Sequence, residues 1–392
     1  MRQAIIAVTM AFMASGAMAD IPSESIQAYN EALKAGDASK LETAALELTE
    51  AAMANPQDEQ STLLAFEGAW SLCRIGQCQA AIKPAEFALA QPPTSDHPVM
   101  QDRELLAAFA GWTDDKTRRT RKRLDAALAA SVDTAPSLVS LTAFQQRYFE
   151  DVRKSDWGRV EDSAGETARH LEPVREQVTE AWISARFYAI VAAFSRRRNK
   201  DQHEAMVHLE GELYQMYYGH EGGKEAAPDW LKSIYWRASA WRAAMSAYFA
   251  STEGGRPGSR IGGRSGLSDE DVDELLAGYM ETTDLTRGAA DASDEDDGPP
   301  LCEGELIKEP ELSYPGSAAF RGQVGAVIAS YKFAEGRVTD VEVLASVPYG
   351  GFEDEVVETI SQWRWEAAEA QPVNPCSMSY DNIVQTFVFR MG

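Results

Sequence analysis

The hydrophobic pattern of this 392-residue chain changes period once, and that change limits what it can fold into. From Asp20 to about Ser251 apolar residues recur at spacings of three and four, alanine is abundant, and nothing alternates with period two for long. That is the pattern of amphipathic helices. Over the last eighty or so residues alternation takes over: Val341 and Val343 interleave with Asp340 and Glu342, as in a strand with one buried face. Two periods in one chain predict a multidomain protein, an all-α part followed by a small α+β domain. Hydrophobic content of 44% and charged content of 25% let both parts bury cores.

The helical part reads as paired helices. Tyr29 and Leu33 precede a Gly36-Asp37 turn, with Ala44, Leu48, Ala51, Ala52 and Pro56 after it. Phe66, Trp70 and Leu72 precede a turn at Gly76, with Ala81, Ile82, Ala85, Ala88, Leu89 and Pro92 after it. Glycine ends the first helix of each pair, proline stops the second, and small residues let the two approach. The turn glycines stand 40 residues apart, a helical-repeat spacing. Gly76 to Pro92 resembles a tetratricopeptide-type repeat, with a weaker echo from Phe144 through Trp157-Gly158 to Ala164, Ala168 and Pro173. Residues 20–251 are expected to form an α-helical repeat domain; a non-repeating bundle is the alternative. Later helices are expected over 172–195, 202–217 and 228–250. The aromatic residues gathered between Tyr214 and Phe249 read first as core, and second as a peptide or glycan surface.

The N-terminus reads as an export signal. Arg2 supplies the charge, and Ala17-Met18-Ala19 before Asp20 is a small-x-small cleavage site. The apolar run between them, Ala4 to Ala14, is roughly 11 residues, against the ~20 that a membrane span takes. Residues 1–19 are expected to be removed, leaving a periplasmic protein with no transmembrane segment; an uncleaved anchor is the alternative. Four cysteines suit an oxidising compartment. Of three possible pairings, the simplest joins Cys73 to Cys78 in the helical part and Cys302 to Cys376 in the last. A net charge of −24 makes nucleic acid a poor partner, because phosphate neutralisation needs Lys and Arg. The basic run Arg118, Arg119, Arg121, Lys122, Arg123 and the shorter Arg196 to Arg198 suit lipid head groups or an acidic partner, or are solvated helix faces.

Residues 252–300 read as a linker. Thr252 to Gly266 is rich in Gly, Ser and Arg. Ser268 and Asp271 form a capping-box-like start to a short helix ending near Met280, and 291–300 is acidic and structureless. Catalytic patterns do not assemble. The glycine stretch lacks the lysine of a P-loop and the strand of a dinucleotide fold, and the acidic run misses the calcium-loop pattern. His203-Glu204 and His208 set the histidines five apart, roughly 140° around a helix, where a zincin needs four. No Gly-x-Ser-x-Gly elbow occurs. The expectation is a protein without catalytic residues, cofactor or metal. A peptidoglycan-acting site in the helical part would need a cleft with converging acids or histidines.

In the last domain, Gln323–Phe333 and Val338–Ala345 read as a hairpin turning at Gly336, with Val324, Ala326 and Ile328 on one face, one face of the sheet being buried and the other wet. A helix from about Gly351 to Trp363 aligns Phe352, Val356, Ile360 and Trp363 to cross the hairpin. A last strand, Asn382–Arg390, sets Ile383, Phe387 and Phe389 on one side. The sum is a three-stranded antiparallel sheet with one helix.

In order and spacing, Tyr314-Pro315, Gly322-Gln323-Val324, Glu335-Gly336-Arg337-Val338, Phe352-Glu353-x-Glu355-Val356 and Trp363-Arg364-Trp365, with a final apolar strand, resemble the C-terminal domain of TonB. The resemblance covers residues 301–392. It implies the same fold and a binding role: the edge of the last strand takes an extended segment from a protein partner, an outer-membrane receptor or a periplasmic complex, by β-augmentation. Carried onto this chain, the pairing strand is Asn382, Ile383, Val384, Gln385, Thr386, Phe387 and Val388. The approach segment is Ser313, Tyr314 and Pro315; the family often has glutamine where Ser313 stands. The family's usual energy transducer has an N-terminal membrane anchor and a Pro-rich spacer. Here a cleavable-type signal, a helical domain and a Gly/acidic linker stand in their place. The expectation is a periplasmic, non-catalytic adaptor. An energy transducer kept at the inner membrane by an uncleaved N-terminus is the alternative.

Overall fold

The structure, a computed structural model, describes residues 21–92, 98–253, 266–287, 302–308, 310–320, 323–368 and 376–390. The expected signal peptide, most of the Gly-rich stretch and the acidic run lie outside the described residues. The chain divides into two compact units, one taking in residues up to 154 with 163–182, the other 155–162 with 183–392.

The first unit is a succession of helices, each packed on the next: α1 (Ser23–Ala35), α2 (Ala38–Ala54), α3 (Ser61–Arg74), α4 (Cys78–Ala90), α5 (Arg103–Asp114), α6 (Arg118–Ser131) and α7 (Leu138–Arg153). The turns fall where glycine allows them: Gly36 has φ +64° and Gly76 φ +87°, left-handed values that other residues adopt at a cost. The Cys73–Cys78 disulfide spans the α3–α4 corner. The basic run opens α6 and is partly neutralised. Arg121 makes two 2.8 Å bonds to Asp151 and one of 2.9 Å to Asp125, and Arg123 meets Glu86. Arg118, Arg119 and Lys122 stay exposed.

The helix α8 (Trp157–Leu171) contributes to both units. In the second, α9 (Thr179–Arg197), α10 (Lys200–Tyr218), α11 (Asp229–Glu253) and α12 (Asp269–Arg287) precede β1 (Gly304–Ile307), α13 (Gly316–Phe320), β2 (Gly325–Ala334), β3 (Arg337–Val347), α14 (Glu353–Ile360), β4 (Arg364–Ala367) and β5 (Tyr380–Phe389). Arg196 and Arg197 both pair with Glu161, which offsets one of the three charges of the second basic run. The strands form one antiparallel sheet in the order β1-β4-β3-β2-β5. The three expected strands make its body, and two four-residue strands widen it beyond β3. The β2–β3 turn is Glu335 (φ +51°) and Gly336 (φ +74°), the pair of left-handed residues that matches the twist of a hairpin.

The helix α14 crosses one face of the sheet as expected, but on β2 it meets the residues alternating with the Val324, Ala326 and Ile328 row. Val327, Ala329, Tyr331 and Phe333 meet Phe352, Val356, Ile360 and Trp363, together with Phe387 and Phe389. Phe352 stacks on Phe389 at 4.2 Å. Gly325 leaves that stack its room: a Cβ there would lie 2.3 Å from the Phe352 ring and 2.4 Å from the Val347 carbonyl. Gly325→Val is expected to destabilise by about 1–3 kcal/mol through overpacking, read as a lower urea midpoint.

The other face corrects the expectation of a wet side. Ala326 and Ile328 are 0% and 1% exposed, and α11 runs against β2, β3 and β5. Ala240, Ala243, Ala244 and Ala247 on α11 are all buried. Spaced three and four apart they share one face, and their small side chains let a helix lie close to strands. The strand β2 is thus buried on both sides, a central strand between two helical layers.

The cap expected at Ser268 is present: Ser268 N–H bonds Asp271 Oδ2, and Asp271 N–H bonds Ser268 Oγ, both at 3.1 Å. The helix it starts, α12, continues to Arg287 and packs on α10 through Val207, Leu267 and Val272. Among the described residues no helix is long and apolar enough to cross a membrane.

Candidate functional site

Both borders of the sheet are single-sided strands, and they differ. The β1 border has four residues, whereas β5 has ten. The register of β5 on β2 runs evenly from Gly325↔Phe389 to Tyr331↔Ile383, after which it shifts. No strand among the described residues lies beyond β5.

Alternation sorts its side chains. Phe387 and Phe389 enter the α14 core, Ile383 packs against that core, and Gln385 Oε1 accepts the Tyr331 hydroxyl at 2.9 Å. On the opposite face Thr386 is exposed, and so are Val384 (43%) and Val388 (36%); Tyr380, 45% exposed, lies past the register shift and pairs with Phe333. Edge strands are normally guarded by lysine, proline or inward charges. Between Tyr380 and Phe389 the single charge is Asp381, and there is no proline. This border is long, apolar on its exposed face and unguarded. For Asn382 the strand backbone is described and the side chain is not.

The approach segment serves the fold first. The Ser313 N–H and hydroxyl both bond Glu355 Oε1, at 3.0 and 2.7 Å. The Ser313 hydroxyl, with the amide beside it, holds the Glu355 carboxyl below the usual carboxylate range. The Tyr314 ring stands edge-on to Phe352 and Phe389 at 5.8 and 5.9 Å, and the Pro315 carbonyl accepts the Ala318 N–H. The structure therefore brings Tyr314 to the Phe389 end of β5 and directs Ser313 toward α14.

The Cys302–Cys376 disulfide joins the residues before β1 to those leading into β5. Around it, Cys302 N–H bonds the Ser377 carbonyl at 2.8 Å, and Trp365 Nε1 bonds the Cys302 carbonyl at 3.0 Å. Both disulfides thus join cysteines of the same region, the simplest of the three pairings.

Sequence reasoning missed Tyr380, which begins the strand two residues before its expected start and lies past the register shift. It placed α11, expected over 228–250, but missed its packing on the sheet.

Elsewhere, two serine–histidine contacts among the described residues have the form of a catalytic pair: Ser246 Oγ lies 3.0 Å from Nε2 of the fully buried His203, and a second joins α7 and α8. Ser140 Oγ lies 2.8 Å from His170 Nε2, and His170 Nδ1 lies 3.1 Å from the Val132 carbonyl. Both residues are 1% exposed and the imidazole stacks on Phe144. Burial lowers the His170 pKa. No substrate reaches so closed a pair; it ties α7 to α8. Among the described residues no three His, Cys, Asp or Glu side chains converge as a metal site.

Comparison with known proteins falls on the sheet domain. Residues 310–388 match the family described as Gram-negative bacterial TonB protein C-terminal. A stretch of 89 residues is 36% identical to a protein named TonB from Yersinia enterocolitica, covering 22% of this chain and 31% of that protein. The chain therefore spans about a third of that relative's length. The resemblance read from the motifs holds for the C-terminal domain, and the helical units lie outside it.

Proposed function

We propose that this protein is a non-catalytic adaptor of the Gram-negative periplasm whose C-terminal sheet takes up an extended segment of a protein partner along β5. The observation that carries this reading is the long border free of lysine and proline, with Val384 and Val388 exposed in one row. Unpaired backbone groups on the open side supply affinity, and alternating side chains set register. A strand laid beside β5 sets every second side chain next to Val384 and Val388. The fitting partner segment is therefore extended, with β-branched or other apolar residues at alternate positions. In this reading the helical hairpins, tetratricopeptide-like in spacing, hold a second protein.

The test is the double substitution Val384→Lys with Val388→Glu, two exposed positions where the fold tolerates charge. Binding of synthetic peptides from the periplasm-facing ends of outer-membrane receptors is expected to weaken at least about tenfold, with circular dichroism unchanged. Unaltered binding would move the site away from β5. The likeness to a protein named TonB favours a second reading, an energy transducer retained in the inner membrane by its N-terminal residues. N-terminal sequencing of the fractionated protein separates the two: a chain starting at Asp20 in the soluble periplasm supports the adaptor, an intact Met1 in the membrane supports the transducer.

A further inference from the structure

We propose that α12 is a strap held on α10 by a neutral His203 and released when that imidazole takes up a proton. His203 is fully buried on α10 and stacks on Phe249 of α11 at 5.5 Å. Both its nitrogens are engaged. The Leu267 N–H donates to Nδ1 at 3.2 Å, so the proton of the neutral ring sits on Nε2, 3.0 Å from Ser246 Oγ. Leu267 directly precedes the Ser268 cap of α12. Gly266, one residue earlier, is pressed against Phe249: a Cβ there would lie 2.4 Å from the ring. The entry to the strap is thus threaded between α10 and α11 and hung on one acceptor nitrogen. A second proton turns that acceptor into a donor facing another donor, and the bond cannot survive.

The surroundings decide how readily the proton arrives. Arg242 on α11 is a like charge, bonded to Glu210 of α10 at 2.8 Å. Asp269 on α12 acts in the opposite sense. From α9, Phe194 packs on Phe249, and Arg198 lies over Tyr248. Burial first, and Arg242 second, hold the His203 pKa down at about 4. Once the strap lifts, the imidazole is hydrated and titrates near its ordinary value of about 6.5. Acid therefore favours the lifted state. The ratio of lifted to closed is constant above about pH 7 and rises nearly tenfold per unit as pH falls toward 4, roughly 30-fold between pH 7.5 and 5.

The rest of the strap also packs on α10, where Gln215 Nε2 donates to the Tyr279 carbonyl at 3.3 Å. Leu275 and Leu276 add partly buried contacts, the Tyr279 ring lies on Gly211, and its hydroxyl meets His208 Nδ1 at 3.0 Å. A helix packed chiefly on one neighbour opens separately from the core, and here the α11–sheet packing is left in place. Release bares the apolar face of a nineteen-residue helix ahead of the sheet domain.

Hydrogen exchange of the full chain at pH 7.5 and 5.0, corrected for intrinsic rates, tests this. Amides of α12 are expected to lose roughly 30-fold of their protection at pH 5, while those of α10, α11 and β2 keep theirs. In His203→Asn the amide oxygen replaces Nδ1 as acceptor and does not titrate, so α12 protection is expected to hold at both pH values. Should that variant not fold, Asp269→Asn at the exposed start of α12 is the second probe. That carboxylate favours the imidazolium only while the strap is closed, so its loss leaves the onset of release in place and extends the loss of α12 protection below pH 4, where wild type levels off. The proposal fails if wild-type α12 is equally protected at both pH values, if it opens together with α10 and α11, if folded His203→Asn responds as wild type does, or if folded Asp269→Asn levels off near pH 4 as wild type does.

Discussion

A fragment confined to residues 301–392 is expected to be poorly ordered and prone to aggregate, whereas one spanning 155–392 folds cooperatively. The reason is α11. Without it the second face of the sheet meets water, and Ala326, Ile328, Ala345 and Val347, each no more than 8% exposed in the full chain, become surface. Burial of an isoleucine or valine side chain contributes about 1.5–3 kcal/mol. Ile328 and Val347 alone thus approach the whole margin of a domain this small. Near-ultraviolet circular dichroism and dye binding to exposed apolar surface distinguish the two fragments. A short fragment with the urea midpoint of the long one would show that α11 adds nothing to the sheet.

The two disulfides are expected to differ in weight. Replacing Cys302 and Cys376 by serine opens a loop whose ends are 74 residues apart, a loss of about 4 kcal/mol on the chain-entropy account. Replacing Cys73 and Cys78 opens a separation of 5, about 2 kcal/mol by the same relation. Denaturant unfolding of the two double variants measures the difference. The first is also expected to loosen the lead into β5, so hydrogen exchange at Tyr380 and Asp381 rises in that variant. Equal midpoints for the two variants would mean that strand pairing already does the work of the longer link.

What the sequence revealed and what it hid follow from the same physics. Helix ends marked by glycine or a capping serine were legible, so Gly36, Gly76 and Ser268 fall where the pattern sets them. The α14 face was legible because Phe352, Val356, Ile360 and Trp363 recur at helical spacing beside a strand of opposite periodicity. The second layer on the sheet was not. Alternation is clear in β3, but β2 reads Gly-Ala-Val-Ile-Ala-Ser-Tyr-Lys-Phe-Ala, apolar on both sides, and that run was read as half wet. Alanines 240, 243, 244 and 247 are as natural in a free helix as in one pressed on a sheet, so composition alone does not separate the two. The capping of α12 was visible and its docking was not, since the contacts that hold it belong to His203, Val207 and Gly211 more than sixty residues earlier. Of the residues carried over by motif, Tyr314 shows the limit of that method: its place beside Phe352 and Phe389 is a packing role, and a motif does not say whether a residue is kept for the core or for a partner.

The unequal borders of the sheet also govern stoichiometry. A sheet open along two matched borders can recruit a copy on each and extend without end, the geometry of a fibre. Here one border is four residues long, with a disulfide and the Trp365 indole fastened beside it. The other is the ten-residue strand β5. In the proposed reading a guest strand therefore has one long border of this chain to join, and copies of the chain lack the second matched border that a fibre needs.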